Sequence, residues 1–409
     1  MRVKQGIARH EPHAGRAEEV AEIIREVRLR GDRAVIELTE RFDAAEVGPD
    51  RLQVDPRELE ASIGVLEPDV LDALKTAIAN VGAVAEAQLG QPVAADLPEG
   101  QRVEIVDVPV ERAGIYAPGG RAPYPSTVVM CAVAARIAGV GQIAVCAPPG
   151  PGGRGHPLIL AACVLCGVSE VYRMGGAQAI AALAYGTESV RPVDVIVGPG
   201  NPWVTEAKRQ VYGQVGIDGL AGPSELLVIA AADADAELVA LDLLAQAEHG
   251  PDSLVALIAL DEGVLEATVA CVKRMTPERP SVTDAELQVG LVSDPHTALR
   301  AAEQFAPEHL ELVGLEAEAL AARVRRAGCV FVGAGAATAF GDYVAGSNHV
   351  LPTGGAARFQ SALSPATFRR RMARVSLPGE APARLAPAGA ALARAEGFPV
   401  HAESMERRA

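Results

Sequence analysis

A glutamine and a histidine at the end of a predicted helix are the first residues that could do chemistry. Gln246 and His249 stand three residues apart in Leu243-Leu-Ala-Gln-Ala-Glu-His-Gly-Pro-Asp252, and this spacing projects both from one helix face. Gly250 and Pro251 then end the helix. Two possible metal ligands at the mouth of a terminated helix suggest a metal site. The histidine could equally offset the helix dipole, and this segment alone favours that structural interpretation.

Acidic and basic groups stand side by side further along the chain. Glu308 and His309 follow a predicted helix, and their different intrinsic pKa values suit a reaction that moves more than one proton. Two later segments add further candidate residues: Asp342, His349, Glu396 and His401. Four of the eight histidines lie in these segments or in that of Gln246: His249, His309, His349 and His401. One such histidine is usually structural, whereas four beside carboxylates favour a functional site. We expect His349 to fix its loop rather than to ligate a metal.

Four glycine-rich turns could hold a nucleotide. They are Tyr116-Ala-Pro-Gly-Gly120, Gly175-Gly-Ala-Gln178, Gly198-Pro-Gly-Asn201 and Ala221-Gly-Pro-Ser-Glu225. Glycine lets the backbone approach a phosphate, and a helix that starts there offers free N–H groups. Because the usual G-x-G-x-x-G pattern is absent, composition alone leaves tight turns and nucleotide loops equally open. The amides of Gln178 and Asn201 favour binding. We expect Glu225, Glu248 and Asp252 to be turn or helix-end residues.

Alternating strands and helices must position these groups. Residues 16 to about 90 show helical spacing, and from about residue 103 short apolar runs alternate with glycine turns and alanine-rich helices. This alternation is typical of parallel sheets covered by helices, and it starts again near Leu226, which predicts two α/β units. Beyond residue 377, prolines predict a linker that leads to a final short helix.

The same patterns predict individual elements. Strands are expected at residues 142–147, 170–172, 193–197, 226–229, 254–260 and 329–332. Helices are expected at residues 18–28, 69–85, 157–166, 177–185, 236–249 and 296–305.

Composition excludes several classes of protein. A chain of 409 residues that is 49% hydrophobic can build a large core, and its net charge of -15 argues against nucleic acid as a partner. Neither a signal-like start nor an apolar run of roughly 20 residues is present. We therefore expect a soluble, cytoplasmic protein without a membrane partner. The six cysteines lie in apolar segments, and Cys163 and Cys166 form a C-x-x-C without a second pair, so packing is favoured over metal or redox chemistry.

Seven motifs occur in an order that closely resembles the histidinol dehydrogenases. They are Y-A-P-G-G, G-G-A-Q-A-I-A-A-L-A, G-P-G-N, A-G-P-S-E, Q-A-E-H-G-P-D, P-E-H-L and G-D-Y-x-x-G-x-N-H-V-L-P-T. The resemblance runs from about residue 16 to the C-terminus, and seven motifs in order are highly specific. It implies oxidation of L-histidinol through L-histidinaldehyde to L-histidine with two NAD molecules, the last steps of histidine biosynthesis.

The resemblance also implies an α/β fold with two Rossmann-like, incomplete parallel-sheet domains, a helical N-terminal region and a small C-terminal tail domain. We expect an N-terminal arm over 1–15 and a first domain over 16–115 plus 230–363 that carries the metal and acid–base residues. A second domain over 116–229 would form the NAD side. A tail over 364–409 would reach the partner subunit of a homodimer.

Residue roles follow from the same resemblance. One zinc ion per subunit would be bound by Gln246, His249, Asp342 and His401. The acid–base pair would be Glu308 and His309. The NAD site would include Tyr116, Gln178 and Asn201. Substrate would contact the zinc ligands, the acid–base pair, Ser224 and Glu396. Glu396 and His401 would complete the neighbouring subunit's site.

Other assignments stay open at this stage. Manganese or cobalt also accepts nitrogen and oxygen ligands of this kind. A paralogue on the same scaffold could oxidise a different primary alcohol. A metal-dependent hydrolase could use Glu308 to activate water, but it would not require glycine turns that carry amides. A non-catalytic binding protein is least favoured, because binding alone does not require an acid, a base and four ligands together.

Overall fold

The computed structural model of the protein describes residues 1–8, 16–43, 45–119 and 123–409. Part of the predicted N-terminal arm and Gly120 of the first glycine turn lie outside the described residues. The strands are β1 (Val3–Gln5), β2 (Val93–Asp96), β3 (Arg102–Pro109), β4 (Arg112–Tyr116), β5 (Gln142–Ala147), β6 (Glu170–Arg173), β7 (Val195–Val197), β8 (Gly216–Ile217), β9 (Glu225–Ala230), β10 (Leu254–Ala259), β11 (Leu287–Leu291), β12 (His309–Val313), β13 (Cys329–Val332) and β14 (Arg369–Ser376).

The α-helices cover the faces of the sheets. They are α1 (Ala17–Arg30), α2 (Asp32–Asp43), α3 (Pro56–Ala61), α4 (Pro68–Ala87), α5 (Pro125–Ala138), α6 (Pro157–Leu165), α7 (Gly176–Tyr185), α8 (Pro202–Val211), α9 (Ala236–Ala247), α10 (Glu262–Met275), α11 (Pro295–Phe305), α12 (Leu315–Glu318), α13 (Thr338–Tyr343), α14 (Ala381–Ala395) and α15 (Pro399–Glu406). The helices and strands predicted from apolar periodicity are all confirmed, with ends that differ by at most two residues.

Two parallel sheets form the framework of the described chain, which confirms the predicted fold class. One has the order β6-β5-β4-β7-β8, and the other has the order β1-β11-β10-β9-β12-β13. Each sheet grows outward from a central strand to one side and then reverses to the other side. The reversals, or switch points, lie between β4 and β7 and between β9 and β12. Strands β4, β9 and β10 are buried along their whole length, as expected for strands covered on both faces.

The helices before residue 90 pack on the five-stranded sheet. α1 and α2 share a core with α7 and α8, and α4 packs on α5. The division predicted from sequence grouped residues 16–115 with 230–363 instead, and its boundary at residue 116 falls on the last residue of β4. The packing differs from that grouping because the apolar faces of α1 and α4 are buried against helices of the five-stranded sheet. The division into domains stays a prediction.

An antiparallel sheet joins distant parts of the chain and was not predicted. Its order is β14-β3-β2, and β14 pairs with β3 so that Arg369 lies opposite Pro109. The arginine-rich sequence of β14 lacks the alternation of apolar and polar residues that marks a half-buried strand, and most of β14 is exposed.

The predicted C-terminal linker is wrong. Residues 381–395 form α14, and α15 packs against it through Ala390, Ala393, Ala402 and Met405. Pro382 lies in the first turn, where its missing N–H costs nothing, and the many alanines of α14 offset the interior Pro387. Prolines alone were therefore a poor indicator of an unstructured segment.

The described part of the chain includes no helix long and apolar enough to span a membrane. All six cysteines are free thiols, and Cys131, Cys146, Cys163 and Cys166 are buried. Burial raises the pKa of the Cys166 thiol to about 12 and that of Cys163 well above its usual value. These two thiols therefore stay protonated, and unreactive, at neutral pH.

Candidate active site

Ser224 and the predicted acid–base pair, Glu308 and His309, lie at the amino ends of β9 and β12, the two strands of this sheet's switch point. Ser224 precedes β9, and Glu308 precedes His309, the first residue of β12. Helix α9 connects the parallel neighbours β9 and β10, so it must return the chain to this same edge. Its C-terminal turn carries Gln246. Strand pairing and helix direction thus bring segments more than 60 residues apart to one edge of the six-stranded sheet.

Glu308 is a buried carboxyl group held at fixed geometry. Its Oε2 accepts hydrogen bonds from the Ser224 hydroxyl and from the Glu225 backbone N–H, both at 2.8 Å. Burial raises its pKa to about 7, although the neighbouring His309 and these hydrogen bonds act in the opposite direction. Near neutral pH the carboxyl group can therefore both take up and release a proton.

One hydrogen bond fixes the tautomer of His309. The ring is 3% exposed, and its Nδ1 lies 3.0 Å from the backbone oxygen of Glu225. A carbonyl oxygen only accepts, so Nδ1 carries the proton and the neutral ring keeps its lone pair on Nε2. Nε2 lies 3.8 Å from Oδ1 of Asp342. The basic nitrogen of His309 thus faces the predicted metal ligand.

Glu225 is a site-fixing residue that the sequence analysis misassigned. The prediction of a turn or helix-end residue is wrong, because Glu225 is the buried first residue of β9. Its carboxylate accepts hydrogen bonds from the backbone N–H groups of Glu308 at 3.3 Å and Gly354 at 3.2 Å. An acid directly before a continuous apolar run was the available signal, since a charge at the start of a buried strand must find partners.

Gln246, His249 and Asp342 form one group of potential metal ligands. The Nε2 of Gln246 donates to the Ser224 hydroxyl at 2.9 Å, which leaves Oε1 as the amide atom that can ligate a metal. Nε2 of His249 lies 3.9 Å from Oδ2 of Asp342. Two ligands of one tetrahedral zinc ion are about 3.4 Å apart. These nitrogen and oxygen donors therefore fit zinc with a small closure of the site.

His349 fixes the backbone beside this ligand group. Its Nδ1 donates to the backbone oxygen of Asp342 at 2.8 Å, and its Nε2 lies 3.3 Å from the hydroxyl oxygen of Thr127. The ring thus connects the loop after α13 to helix α5, in agreement with the loop-fixing role expected from its spacing.

Glu396 and His401 are not brought to this site within one chain. His401 is exposed on α15, where its ring lies 5.3 Å from that of Phe398, and Glu396 is exposed at the end of α14. Among the described residues, no three His, Cys, Asp or Glu side chains converge so that they could hold a metal ion. One chain therefore assembles three of the four predicted ligands.

A cavity of about 390 Å³ opens beside the ligand group. Leu74 and Ala77 of α4 form an apolar wall, and Tyr124 and Ser126 line the side next to α5. Gln246, His249 and Asp342 also line the cavity. It can therefore hold a small molecule that contacts apolar side chains and the ligand group together.

The predicted NAD residues lie at the carboxyl ends of the five-stranded sheet. Tyr116 ends β4 and is buried, with its hydroxyl 3.2 Å from the Gly176 N–H. The Oε1 and Nε2 atoms of Gln178 are buried and meet no hydrogen-bond partner among the described residues. Asn201 caps α8 by accepting from the N–H groups of Trp203 and Val204. A bound polar ligand would satisfy Gln178, whereas the cap accounts for Asn201 without one.

A buried ion pair that the sequence analysis missed holds the third glycine turn. Lys208 and Asp218 pair at 3% and 8% exposure. Lys208 donates to the Gly198 oxygen at 2.8 Å, and Asp218 accepts from the Gly198 N–H at 2.7 Å. Gly198 has φ +110°, and a Cβ there would lie 2.2 Å from the backbone oxygen of Tyr116. The turn is thus rigid, and only glycine fits at its first position.

The raised pKa of Glu308 predicts a pH-dependent stability difference. The folded protein holds the Glu308 proton up to about pH 7, whereas an unfolded chain releases it near the ordinary glutamate value of 4.5. Wild-type stability is therefore lost as pH rises from 4.5 to 7. The unfolding free energy of Glu308→Gln minus that of wild type should therefore be about 2–3 kcal/mol larger at pH 8 than at pH 5.

Chemical denaturation at the two pH values measures this gain. Glu278→Gln is the matched control, because the Glu278 side chain is 80% exposed and its replacement should behave alike at both pH values. A Glu308→Gln difference that stays constant with pH would show that Glu308 is ionised at neutral pH without a burial cost.

Comparison with known proteins identifies close relatives along the whole chain. The family model described as histidinol dehydrogenase matches residues 8–409. Histidinol dehydrogenase from Ruegeria pomeroyi is 46% identical over 395 residues, which cover 95% of this chain and 91% of the relative. The enzyme from Parasynechococcus marenigrum is 45% identical over 392 residues, covering 94% and 89%. The crystal structure of histidinol dehydrogenase from Elizabethkingia anophelis superposes with a TM-score of 0.94 at 32% identity, covering 100% of this chain and 98% of the other.

Proposed function

Because the chain belongs to the histidinol dehydrogenase family, we propose that it oxidises L-histidinol through L-histidinaldehyde to L-histidine, using two NAD molecules and one zinc ion per subunit. Members of this family are oxidoreductases that catalyse the last steps of histidine biosynthesis. One observation carries the proposal: a buried acid, Glu308, and a base of fixed tautomer, His309, meet at the ligand group formed by Gln246, His249 and Asp342.

The chain offers suitable groups for both cofactors. Gln246, His249 and Asp342 would hold zinc, which when bound polarises an alcohol or carbonyl oxygen. NAD, as the hydride acceptor, would lie along the glycine turns of the five-stranded sheet. Two features support that location: the unpartnered buried amide of Gln178 and the rigid Gly198 turn.

His309 is proposed to accept the hydroxyl proton in the first oxidation. Its Nδ1 proton is committed to the Glu225 carbonyl, so Nε2 is the atom that can take up a proton. The imidazolium that forms would be stabilised by the carboxylate of Asp342, which lies 3.8 Å from Nε2.

Glu308 is proposed to activate water for the second oxidation. An aldehyde must add water before it can lose a second hydride. A base with a pKa of about 7 can take a proton from that water and return it to solvent at neutral pH. Ser224 and the Glu225 N–H hold the carboxylate in place for this task, and no cysteine nucleophile is required.

The C-terminal helices are proposed to complete the site of a second copy in a homodimer. Glu396 and His401 are exposed on the separately packed pair α14 and α15. A second copy could therefore supply the fourth metal ligand from His401 and a substrate contact from Glu396. Such a segment would also shield the aldehyde from bulk water between the two steps. We expect the enzyme to act in the cytoplasm.

The first test counts the NADH that forms per L-histidinol consumed, with and without a metal chelator. We expect two NADH per substrate, loss of activity on chelation and recovery on addition of zinc. Formation of one NADH with accumulating aldehyde would contradict the role of Glu308. Turnover of another alcohol without turnover of histidinol would contradict the substrate assignment.

A further inference from the structure

Two neighbouring carboxyl groups, Glu311, which is buried, and Asp242, which is half-buried, lie next to the predicted acid–base and ligand residues and have no role in the mechanism above. Glu311 is 1% exposed on β12, two residues after His309 and on the same face of the strand. Asp242 lies one helical turn before Gln246 on the same face of α9, and it lines the cavity. The carboxyl groups of Asp242 and Glu311 are close enough for each to shift the pKa of the other through a direct side-chain contact.

A hydrogen bond between two carboxyl groups requires a proton on one of them, since two carboxylates offer only acceptors. Oε2 of Glu311 is buried and meets no hydrogen-bond donor among the described residues when both acids are ionised. Two negative charges in contact, one of them buried, would also repel each other. Burial raises the pKa of Asp242 to about 6. Burial and the neighbouring Asp242 both raise the pKa of Glu311, which lies well above its usual value.

The pair connects three elements that carry site residues. Asp242 belongs to α9, which carries Gln246, and Glu311 belongs to β12, which starts with His309. The backbone N–H of Thr338, the first residue of α13, acts to lower the pKa of the Glu311 carboxyl group, and α13 carries Asp342. A change in this pair would therefore shift the ligand group relative to the acid–base residues.

We propose that Asp242 and Glu311 share one proton and act as a positioning pair that sets the ligand group of α9 and α13 against His309. The inference rests on the proposed function, because it assigns the pair to the same zinc and acid–base site. Neither residue needs to touch substrate. The proton matters because it converts two mutually repelling acids into a hydrogen-bonded connection between a helix and a strand.

The variants Asp242→Asn and Asp242→Ala distinguish a positioning pair from two acids that have no effect on the site. Asp242→Asn supplies an N–H donor to Glu311, so we expect kcat within about threefold of wild type and an unchanged zinc affinity. Asp242→Ala removes the connection, and we expect about 10–100-fold losses in kcat and in zinc affinity. The KM for NAD should change little, because the predicted NAD residues Tyr116, Gln178 and Asn201 lie on the other sheet. Zinc affinity is measured by calorimetric titration of metal-free protein.

Two further variants keep the test decisive. Glu311→Gln should behave like Asp242→Asn, and a Glu311→Gln variant with reduced kcat and zinc affinity would contradict the proposal even if Asp242→Ala does not fold. Glu237→Ala, an exposed acid on the same helix, is the matched control and should match wild type.

Two results would overturn the proposal: an Asp242→Asn variant as impaired as Asp242→Ala, or an alanine variant with unchanged kcat and zinc affinity. If wild-type protein forms no NADH from histidinol, the proposed function fails, while the comparison of zinc affinities still decides the positioning role.

Discussion

Glu308→Gln is expected to separate the two oxidation steps. Oxidation of L-histidinol to the aldehyde should stay within a few-fold of wild type, because His309 keeps its hydrogen bond to Glu225 and its basic Nε2. Oxidation of the aldehyde should fall by about 10²–10⁴-fold, the usual contribution of a general base. Glutamine preserves the size of the side chain and can still accept from Ser224 and the Glu225 N–H, so the loss would reflect proton transfer.

Single-turnover measurements that start from L-histidinol and from L-histidinaldehyde give the two rates separately. The aldehyde rate of wild type should also rise with pH through about 7, as the Glu308 carboxyl group loses its proton, and this rise should be absent in the variant. Glu278→Gln serves again as the exposed control. Equal losses in both steps would contradict the assignment of Glu308 to water activation.

Two inactive variants should restore activity when mixed, if the tail of one copy completes the site of the other. His249→Ala removes a ligand from the cavity side, and His401→Ala removes the proposed ligand of the tail. In a heterodimer of the two, one site has both substitutions and the other has neither. Random exchange of equal amounts should thus recover about one quarter of the wild-type activity per subunit.

The recovery is measured as NADH formation after subunit exchange, which mass spectrometry of differently tagged copies can verify. Each variant mixed with a tagged copy of itself is the control and should stay inactive. Heterodimers that form but remain inactive would instead favour a site built within one chain, with α14 and α15 folding back.

Much of the fold follows from local patterns in the sequence. Continuous apolar runs predicted β5, β9 and β10, and spacings of three and four residues predicted α1, α4 and α9. These patterns are informative because each strand or helix buries a face of its own. β14 escaped prediction because its pairing with β3 depends on residues more than 250 positions away. α14 was missed because prolines were given more weight than alanines.

The site was predictable to a similar extent. Residue types and motif order indicated Glu308, His309, Gln246, His249 and Asp342, and the structure brings these five to one edge of a sheet. Glu225, Lys208 and Asp218 were missed. Each acts through a buried contact with a backbone group at least ten residues away. The position of Glu225 before a buried strand indicated that its charge needs partners, but no local pattern indicates which backbone groups these three residues contact.

The sequence by itself determined which chemical groups are available and which local element carries each of them. Only the tertiary structure decided at which edge of a sheet each group lies and which residues surround it. The first three glycine turns lie at carboxyl ends of strands in the five-stranded sheet, as expected for nucleotide loops. The fourth turn, which contains Ser224, and Glu308 lie at amino ends of strands in the six-stranded sheet. The segment from β8 to β9 joins these opposite edges. Burial then moves the pKa of Glu308 to about 7. Strand order and burial depend on contacts across the whole chain, so no local pattern of residues determines them.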